Sequence, residues 1–494
     1  MSRPSPGFFG AADKVPGTTS PQSPLLSFVL EARRIPKRLR DDETMCPKPV
    51  PTESNRRLAV FSICVMLFPI GFFYGLLARH VTNIPFADDY AILGFLEHLS
   101  RLPTILAKLS YIISAQQNEY KPMFANLVFA LQYKLFGHPD FVSLSWLGNA
   151  FILPLFYLIW RHFLPHEEDL SLRLLLFVPV SFLLFQLQYS ETLDWSLPGL
   201  QNIPVLVFTF ACIAFLSKDS SRSFVLACVF LALSVASSGN GFVLFPIGIA
   251  MLLDKKRAAR IGIWLILVGL CAALYFHHYN FRSSQQEQNG SVLHSVHYLN
   301  PIFALSFMGS AFGNPSHLIK YSSVILGITI CFVIVLMAKN RYYRLNPTVF
   351  YFASFLVLTA IAVSGIRSKL GFDQSHAGRY KIYSVLLLIC CYAFLMEKYA
   401  ENAPSLRRRY FEGILVFSVV FCAIFDWAGN KHLALRQNDL MIGAKLYEAS
   451  NHQRGPYVQL GDDTTPLAIR INGLWHNTIQ DAESTGLFRF HDSK

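Results

Sequence analysis

Long apolar runs separated by short charged stretches constrain this chain more than any other feature of its sequence. A run of about 20 apolar residues is long enough to cross the hydrocarbon of a bilayer. Only 15% of the 494 residues are charged, whereas a soluble domain carries about 25%. We therefore expect an all-α membrane protein with about 11 transmembrane helices. The predicted helices cover residues 58–78, 141–160, 172–188, 199–217, 223–237, 240–253, 261–277, 321–338, 347–365, 381–396 and 411–427.

The loops between these runs alternate in charge. The basic set comprises residues 33–57, 161–173, 218–222, 254–260, 339–344 and 398–409. The other set comprises residues 79–140, 189–198, 238–239, 278–320, 366–380 and the tail from 428. Cytoplasmic loops of membrane proteins carry the excess of Lys and Arg. The pattern predicts a cytoplasmic N-terminus and an external C-terminus, and it explains the net charge of +12 without a nucleic-acid partner.

The chain is predicted to have three parts. Residues 1–55, rich in Pro, Ser and Arg, are expected to form a disordered cytoplasmic tail. Residues 56–427 form the polytopic membrane domain, in which 79–140 is the first external loop. Residues 428–494 are expected to form a small external segment. The cysteines lie mostly in apolar runs without metal-ligand spacing, so we predict no disulfide framework.

The first external loop has a helical period in its apolar residues. Two stretches repeat at three- and four-residue steps and are separated by Pro103. They predict two amphipathic helices that lie on the outer membrane surface. The apolar positions are Ile92, Phe95, Leu96 and Leu99 in the first stretch, and Ile105, Leu106, Leu109 and Ile113 in the second.

An acidic pair follows the first membrane run. Asp88 and Asp89 stand just beyond its outer end. Burial near the membrane raises the pKa of an unpaired carboxylate, which suits it to proton abstraction. The alternative is structural: Asp88 caps the following helix and Asp89 occupies its first turn, near the positive end of the helix dipole.

Two further polar patches lie in the external set of loops. The first contains Glu119 and Lys121, which form either a functional element or a solvated helix end. The second contains Arg379, Tyr380 and Lys381 at the outer mouth of the tenth predicted helix. Arg and Tyr at such a position either bind a phosphate or anchor the helix at the interface. Arg367 and Lys369 are weaker candidates for the phosphate role.

Histidines are frequent in the loop from His277 to Asn300, yet their spacing lacks a paired motif such as His-x3-His. The identity of any metal therefore stays unknown. His278 and Arg282 remain candidates for contact with a phosphate near the membrane. Trp195, in the 189–198 loop, is either a platform for a sugar ring or a residue of the interfacial aromatic belt.

This combination resembles the GT-C superfamily of polyprenyl-phosphate-sugar-dependent membrane glycosyltransferases, including bacterial relatives of the protein O-mannosyltransferases and of the lipid A aminoarabinose transferase. The likeness rests on the acidic motif after the first span, on Asn118-Glu119 and on the Arg379-Tyr380 pair. The chain departs from the bacterial pattern at Tyr120 and Lys121, where His and Arg are common. No motif of the superfamily that we can name matches the tail 428–494.

The resemblance implies a GT-C-like bundle and an inverting transfer. Asp88 or Asp89 would be the general base, and Arg379, Tyr380 and Lys381 would bind the donor phosphate. Glu119 and Lys121 would contact the acceptor or a divalent cation, which is the one cofactor that the resemblance leaves open. The donor would be a polyprenyl-phosphate sugar, and the acceptor a cell-surface glycan, lipid or protein at the outer face of a bacterial inner membrane.

Two other classes of function remain open on the sequence alone. A transporter or flippase of lipid-linked sugar would need polar groups within its helices and repeated halves. Mid-helix charges are nearly absent here, and the polar patches fall on one side. A membrane scaffold for polysaccharide assembly would need no base at all.

Overall fold

A computed structural model describes residues 52–117, 120–280, 300–313, 321–452 and 476–490. The chain divides into the units 1–52 and 53–494, and everything below concerns the second. The predicted tail 1–55 lies outside the described residues as far as residue 51, and the first helix begins at Glu53. The described residues are helical apart from turns and one isolated bridge between Gln117 and Tyr120.

The helices of the first half include three within the 79–140 loop. They are α1 Glu53–His80, α2 Asp89–Arg101, α3 Ile105–Ser114, α4 Met123–Phe136, α5 Phe141–Ala150, α6 Ile152–His162, α7 Leu170–Leu184, α8 Ser196–Leu216 and α9 Ser221–Ser237.

The remaining helices complete the bundle and then extend beyond it. They are α10 Leu244–Asp254, α11 Ala258–Phe276, α12 Pro301–Met308, α13 Ser322–Lys339, α14 Tyr342–Leu345, α15 Pro347–Arg367, α16 Gly378–Asn402, α17 Pro404–Ala449 and α18 at residues 476–484. Short 3₁₀ turns join several of them, at Leu187–Thr192, Gly239–Val243, Ser310–Phe312, Ser368–Leu370 and Phe372–His376.

Polar residues at the starts of these helices explain where the apolar runs become helical. A side-chain oxygen accepts a hydrogen bond from a backbone N–H of the first turn and so satisfies one of the donors left free there. The residues that cap in this way are Thr104 for α3, Asp140 for α5, Asp169 for α7, Ser220 for α9, Asn300 for α12 and Asn346 for α15.

Eight helices among the described residues are long and apolar enough to cross a membrane. They are Glu53–His80, Phe141–His162, Ser196–Leu216, Ala258–Phe276, Ser322–Lys339, Pro347–Arg367, Gly378–Tyr399 and Pro404–Ala449. Three other predicted spans are helical but shorter, at Leu170–Leu184, Ser221–Ser237 and Gly239–Asp254. A multi-pass helical membrane protein is therefore supported.

The helices differ in how far they are buried, and α7, with α8 and α16, lies largely inside the bundle. α8 is almost entirely buried and α16 is mostly buried, whereas α11 and α13 expose most of their apolar side chains. An apolar helix buried on all sides belongs to a protein interior, and an apolar helix exposed on one side suits contact with lipid. α8 and α16 therefore form the frame on which the polar groups between them are placed.

The loops gather at two opposite ends of the bundle, as their predicted alternation requires. Loops of the basic set meet around one cavity of about 560 Å³, lined by Glu167, Asn340 and Arg407 among others. Loops of the other set meet at the second end, which we call the site end. Helices that run in alternate directions bring the two sets together in this way.

A second hydrophobic core lies at the site end. α2 buries Ile92, Leu96 and Leu99 in it and packs on α4 and α8. α17 contributes Leu440 and Tyr447 to the same core. Residues 476–490 add further apolar side chains to this core. The prediction that α2 lies on the membrane surface therefore differs from the structure, because protein rather than lipid covers its apolar stripe.

α3 follows that prediction more closely. Ile105 and Leu106 are 79% and 78% exposed, and Leu109 is also exposed. α17 differs from the predicted segmentation, since one continuous helix runs through residue 428 as far as Ala449. Its outer turns contribute Leu440, Ala444 and Tyr447 to the second core.

Close packing of α12 on α13 gives a testable expectation for stability. A Cβ at Gly327 would overlap the carbonyl oxygen of Leu305, whereas a Cβ at Gly269 of α11 would have no atom within 4 Å. Overpacking costs about 1–3 kcal/mol, so Gly327→Ala should lower the thermal transition of the detergent-solubilised protein.

Gly269→Ala is the matched control for this substitution. It should leave the transition unchanged or raise it slightly, because alanine favours a helix interior over glycine by about 0.5–1 kcal/mol. Equal transitions for both variants would contradict the packing of α12 on α13 that is described here.

Candidate functional site

The site end contains a cavity of about 690 Å³ between the helix ends. Its walls come from the 79–140 loop, the start of α8, the α9–α10 junction, α11, α12, α15 and α16. Asp88, Arg367 and Arg379 lie in this wall together with Tyr120 and Tyr380. The cavity thus combines one carboxylate with two guanidinium groups.

Asp88 occupies the N-cap position of α2, but its side chain makes no capping hydrogen bond. Tyr120 Oη donates to Asp88 Oδ2 over 3.4 Å instead. Ala87, directly before it, adopts a φ of +48°, a conformation that L-residues rarely take. The chain therefore turns sharply before Asp88, whose carboxylate is left in the cavity wall.

The pKa of Asp88 is set by opposing effects. Burial raises the pKa of the carboxyl, while Arg379, the Tyr120 hydroxyl and Arg367 act in the opposite direction; the net shift is upward. A carboxylate whose pKa lies above its usual range accepts a proton more readily near neutral pH.

Asp89 has a different environment, although it is the next residue. It is 1% exposed, and its Oδ1 accepts from Leu197 N at 3.0 Å. Its Oδ2 accepts from Ser196 N at 3.3 Å and from Phe86 N at 3.4 Å. Asp89 therefore ties the start of α2 to the free N–H groups that begin α8.

The carboxyl of Asp89 does not line the cavity. Burial raises its pKa to about 8, and its three N–H donors act in the opposite direction. The acidic pair thus divides into a cavity residue, Asp88, and a structural residue, Asp89.

Arg379 stands in the first turn of α16 between two aromatic rings. Its guanidinium carbon lies 5.9 Å from the centre of the Trp195 ring and 5.1 Å from that of Tyr380. Aromatic faces attract a guanidinium without neutralising it. The positive charge of Arg379 therefore lies in the cavity wall, where the guanidinium also hydrogen-bonds Tyr380 and interacts electrostatically with Glu191 and Asp88.

Trp195 links this cationic side of the cavity to the acidic side. Its ring meets the ring of Phe86 edge to face at 5.2 Å, and Phe86 stands two residues before Asp88. The guanidinium of Arg436 covers Phe86 at 4.4 Å. The same Arg436 donates to Asp194 Oδ1 over 2.6 Å, so α17 holds both loops from behind the cavity.

Another wall of the cavity is closed by a clamp between two loops. Lys121 N donates to Tyr275 Oη over 3.2 Å, and Lys121 Nζ donates to the carbonyl of His277. Gln116 and Asn280 exchange two hydrogen bonds, of 2.9 and 2.8 Å. These contacts fix the position of Tyr120, which reaches Asp88.

The structure does not bring every predicted residue to the cavity. Lys381 donates to the carbonyl of Gly313 over 3.3 Å, and neither it nor the exposed His278 is part of the cavity wall. Lys121 stands behind the wall, as described above. Glu119 and Arg282 lie outside the described residues.

Several cavity residues escaped the sequence analysis because they are polar but uncharged. They lie inside apolar runs, where a search for charge passes over them. They are Gln201 and Asn202 on α8, Thr359 on α15 and Tyr383 on α16, and the cavity also takes Ser238 and Asn240 from the turn between α9 and α10.

No group of three or more His, Cys, Asp or Glu side chains that could hold a metal ion occurs among the described residues. The chain matches no protein-family model, no curated protein and no solved structure.

The buried Arg436–Asp194 pair gives a prediction about the integrity of the site. The two side chains are only 6% and 7% exposed, and removing one partner of a buried pair costs about 3–5 kcal/mol. Arg436→Met should therefore lower the thermal transition of the purified protein by many degrees.

The control is the exposed pair of Arg257 with Asp219, at the opposite end. Surface ion pairs contribute about 0–1 kcal/mol, so Arg257→Met should change the transition little. If both variants melted alike, the loops behind the cavity would not depend on Arg436.

Proposed function

We propose that this protein is a membrane glycosyltransferase of the GT-C type, which moves a sugar from a polyprenyl-phosphate donor to a cell-surface glycan, lipid or protein. The observation that carries the proposal is one cavity whose wall contains both the carboxylate of Asp88 and the guanidinium of Arg379. A base and an anion-binding group at one cavity are what such a transfer requires.

The walls of the cavity are suited to a lipid-linked donor. Leu358, Ile361 and Ile366 of α15 line it, and each keeps more than a third of its surface exposed. An exposed apolar wall of this kind suits contact with a hydrocarbon chain. The polyprenyl chain would lie along α15, with its phosphate at the helix end.

The phosphate would meet the two guanidinium groups at that end. Arg367 closes α15, and Arg379 begins α16. Guanidinium groups bind phosphate oxygens through paired, charge-assisted hydrogen bonds. A divalent cation would be a further source of positive charge, and loss of transfer on adding a chelator would reveal it.

The proposed reaction is a single inverting displacement. The carboxylate of Asp88 takes the proton of the acceptor hydroxyl, and the hydroxyl oxygen forms a bond to the anomeric carbon. The bond from that carbon to the phosphate oxygen breaks, and its electron pair leaves with the polyprenyl phosphate. Arg379 stabilises the charge on this leaving group.

The proposal includes a topology. Eleven crossings, with the three short helical segments counted as spans, place the N-terminus in the cytoplasm and the site end outside. The basic loops at the opposite end support this orientation. The membrane would be a bacterial inner membrane, and the acceptor would reach the cavity from the outer face.

A flippase would need a path between the two ends of the bundle. Within the part of the chain that the structure describes, the site cavity and the cavity at the opposite end share no lining residue. This separation favours chemistry at one surface over passage across the membrane.

Substitution of the two aspartates tests the assignment of the base. Asp88→Asn should lower the transfer rate about 100- to 10,000-fold, since a positioned general base contributes about that factor. Transfer would be measured by mass spectrometry of surface glycans in cells and of released polyprenyl phosphate in vesicles.

Asp89→Asn is the comparison at the neighbouring position. Its amide nitrogen would replace one of the two oxygens that accept N–H hydrogen bonds, so the variant should lower the thermal transition. Per folded molecule, its transfer rate should fall less than that of Asp88→Asn. Full activity of Asp88→Asn, or a greater loss for Asp89→Asn, would refute the role given to Asp88.

The pH dependence of the rate tests the same residue independently. Asp88 must be ionised to act as a base, so the rate should rise with pH through its elevated pKa. Tyr120→Phe removes a hydrogen bond that favours the ionised form. The pKa of Asp88 should then rise by up to about one unit, and the acidic limb of the pH–rate profile should move to higher pH with it.

A conservative substitution at a nearby tyrosine provides the comparison. Tyr133 of α4 is not part of the cavity wall, so Tyr133→Phe should leave the profile in place. A Tyr120→Phe profile that coincides with the wild type, or moves to lower pH, would contradict the assignment.

A further inference from the structure

One wall of the cavity carries neutral polar groups, which neither a lipid chain nor a phosphate requires. Gln201 and Asn202 of α8, Asn240 of the α9–α10 junction and Tyr383 of α16 line it. All four carry neutral amide or hydroxyl groups. We call these four residues the polar wall.

The polar wall lies deeper in the bundle than the charged groups. Tyr383 is one helical turn beyond Arg379, on the same face of α16. Gln201 follows the start of α8 by about one and a half turns. Asn240 Nδ2 donates to Tyr383 Oη over 2.9 Å, so the two sides of the polar wall are already joined.

Gln201 gives the strongest evidence for a ligand. Its side chain is only 8% exposed, and the structure shows no hydrogen-bond partner for its amide among the described residues. The amide nevertheless retains accessible atoms, since it is not among the fully enclosed polar groups without partners. Leaving a buried amide unpaired costs free energy, and a polar group in the cavity would remove that cost.

The chemistry of the wall restricts what it would bind. Amides and hydroxyls both donate and accept hydrogen bonds, which suits the hydroxyl and amide groups of a sugar. The polar wall contains no charged side chain to pair with a uronic carboxylate or with an amino sugar. Burying such a charge without a partner would be unfavourable.

We infer that the polar wall is the sugar subsite of this cavity and that it selects a neutral hexose or N-acetylated sugar over a charged one. This inference rests on the proposed function. Arg379 and Arg367 then bind the phosphate at the helix ends, while the sugar reaches inward between α8 and α16. Gln201 is the residue whose amide forms hydrogen bonds with the sugar's hydroxyl groups.

Binding of defined lipids to the full chain in detergent tests the inference. The probes are polyprenyl phosphates that carry glucose, N-acetylglucosamine, galacturonic acid or 4-aminoarabinose, and sugarless polyprenyl phosphate. The wild type should bind the neutral-sugar lipids most tightly. Gln201→Leu should weaken that binding about three- to tenfold, the effect of losing one or two hydrogen bonds, and leave binding of the sugarless lipid unchanged.

Gln132→Leu is the matched control. Gln132 of α4 is 7% exposed, and it lies outside the cavity, where it donates to Ser143 Oγ and to the carbonyl of Asp140. Its loss should lower the thermal transition but leave the preference for neutral sugars intact.

The possible outcomes separate the two proposals. Equal binding of neutral, charged and sugarless lipids would overturn the sugar subsite and leave the proposed function standing. A Gln201→Leu variant that retains the wild-type preference would do the same. Failure of every lipid, including sugarless polyprenyl phosphate, to bind the wild type would overturn the proposed function itself.

Discussion

The rest of the site depends on the hydrogen bonds that Asp89 accepts from three backbone N–H groups. Two of them begin α8, the most deeply buried of the membrane-length helices, and the third belongs to Phe86 in the 79–140 loop. A buried carboxyl group is tolerated because these donors replace water, although burial still raises its pKa. The same contact places the neighbouring Asp88 at the cavity, since the chain enters α2 in one fixed orientation.

α17 supports this arrangement from outside the bundle. Its inner turns cross the membrane domain, and its outer turns carry Arg436, which holds Asp194 and covers Phe86. Asn430 and Gln437 of the same helix contact the ring nitrogens of His80 at the end of α1. The continuous helix α17 therefore contacts both the end of α1, which precedes the acidic motif, and the loops around the cavity.

The helical bundle was predictable from the sequence, because the length of an apolar run and the charge of its flanks are set by the bilayer. The separation of Asp88 from Asp89 was not. Either carboxyl group could accept hydrogen bonds at a helix start. Only the position of α8 decides that Asp89, and not Asp88, binds the first N–H groups of that helix.

Other differences have equally physical causes. Helical periodicity places Arg379 and Tyr383 on one face of α16 and Lys381 on another, so that the lysine meets Gly313 instead of the cavity. The outer turns of α17 were not recognised as one helix with its membrane span, because their polar residues end the apolar pattern at residue 427. Gln201 and Asn202 were missed because uncharged polar residues barely alter the hydropathy of a long apolar run.

Photo-crosslinking from inside the cavity tests the central claim most directly. p-Benzoylphenylalanine would replace Phe242, which lines the cavity, and the adduct formed in native membranes would be identified by mass spectrometry. The exposed Phe332 of α13 provides the lipid-facing control. The account predicts a polyprenyl-phosphate sugar on Phe242 and bulk phospholipid on Phe332. Bulk phospholipid at both positions would contradict it.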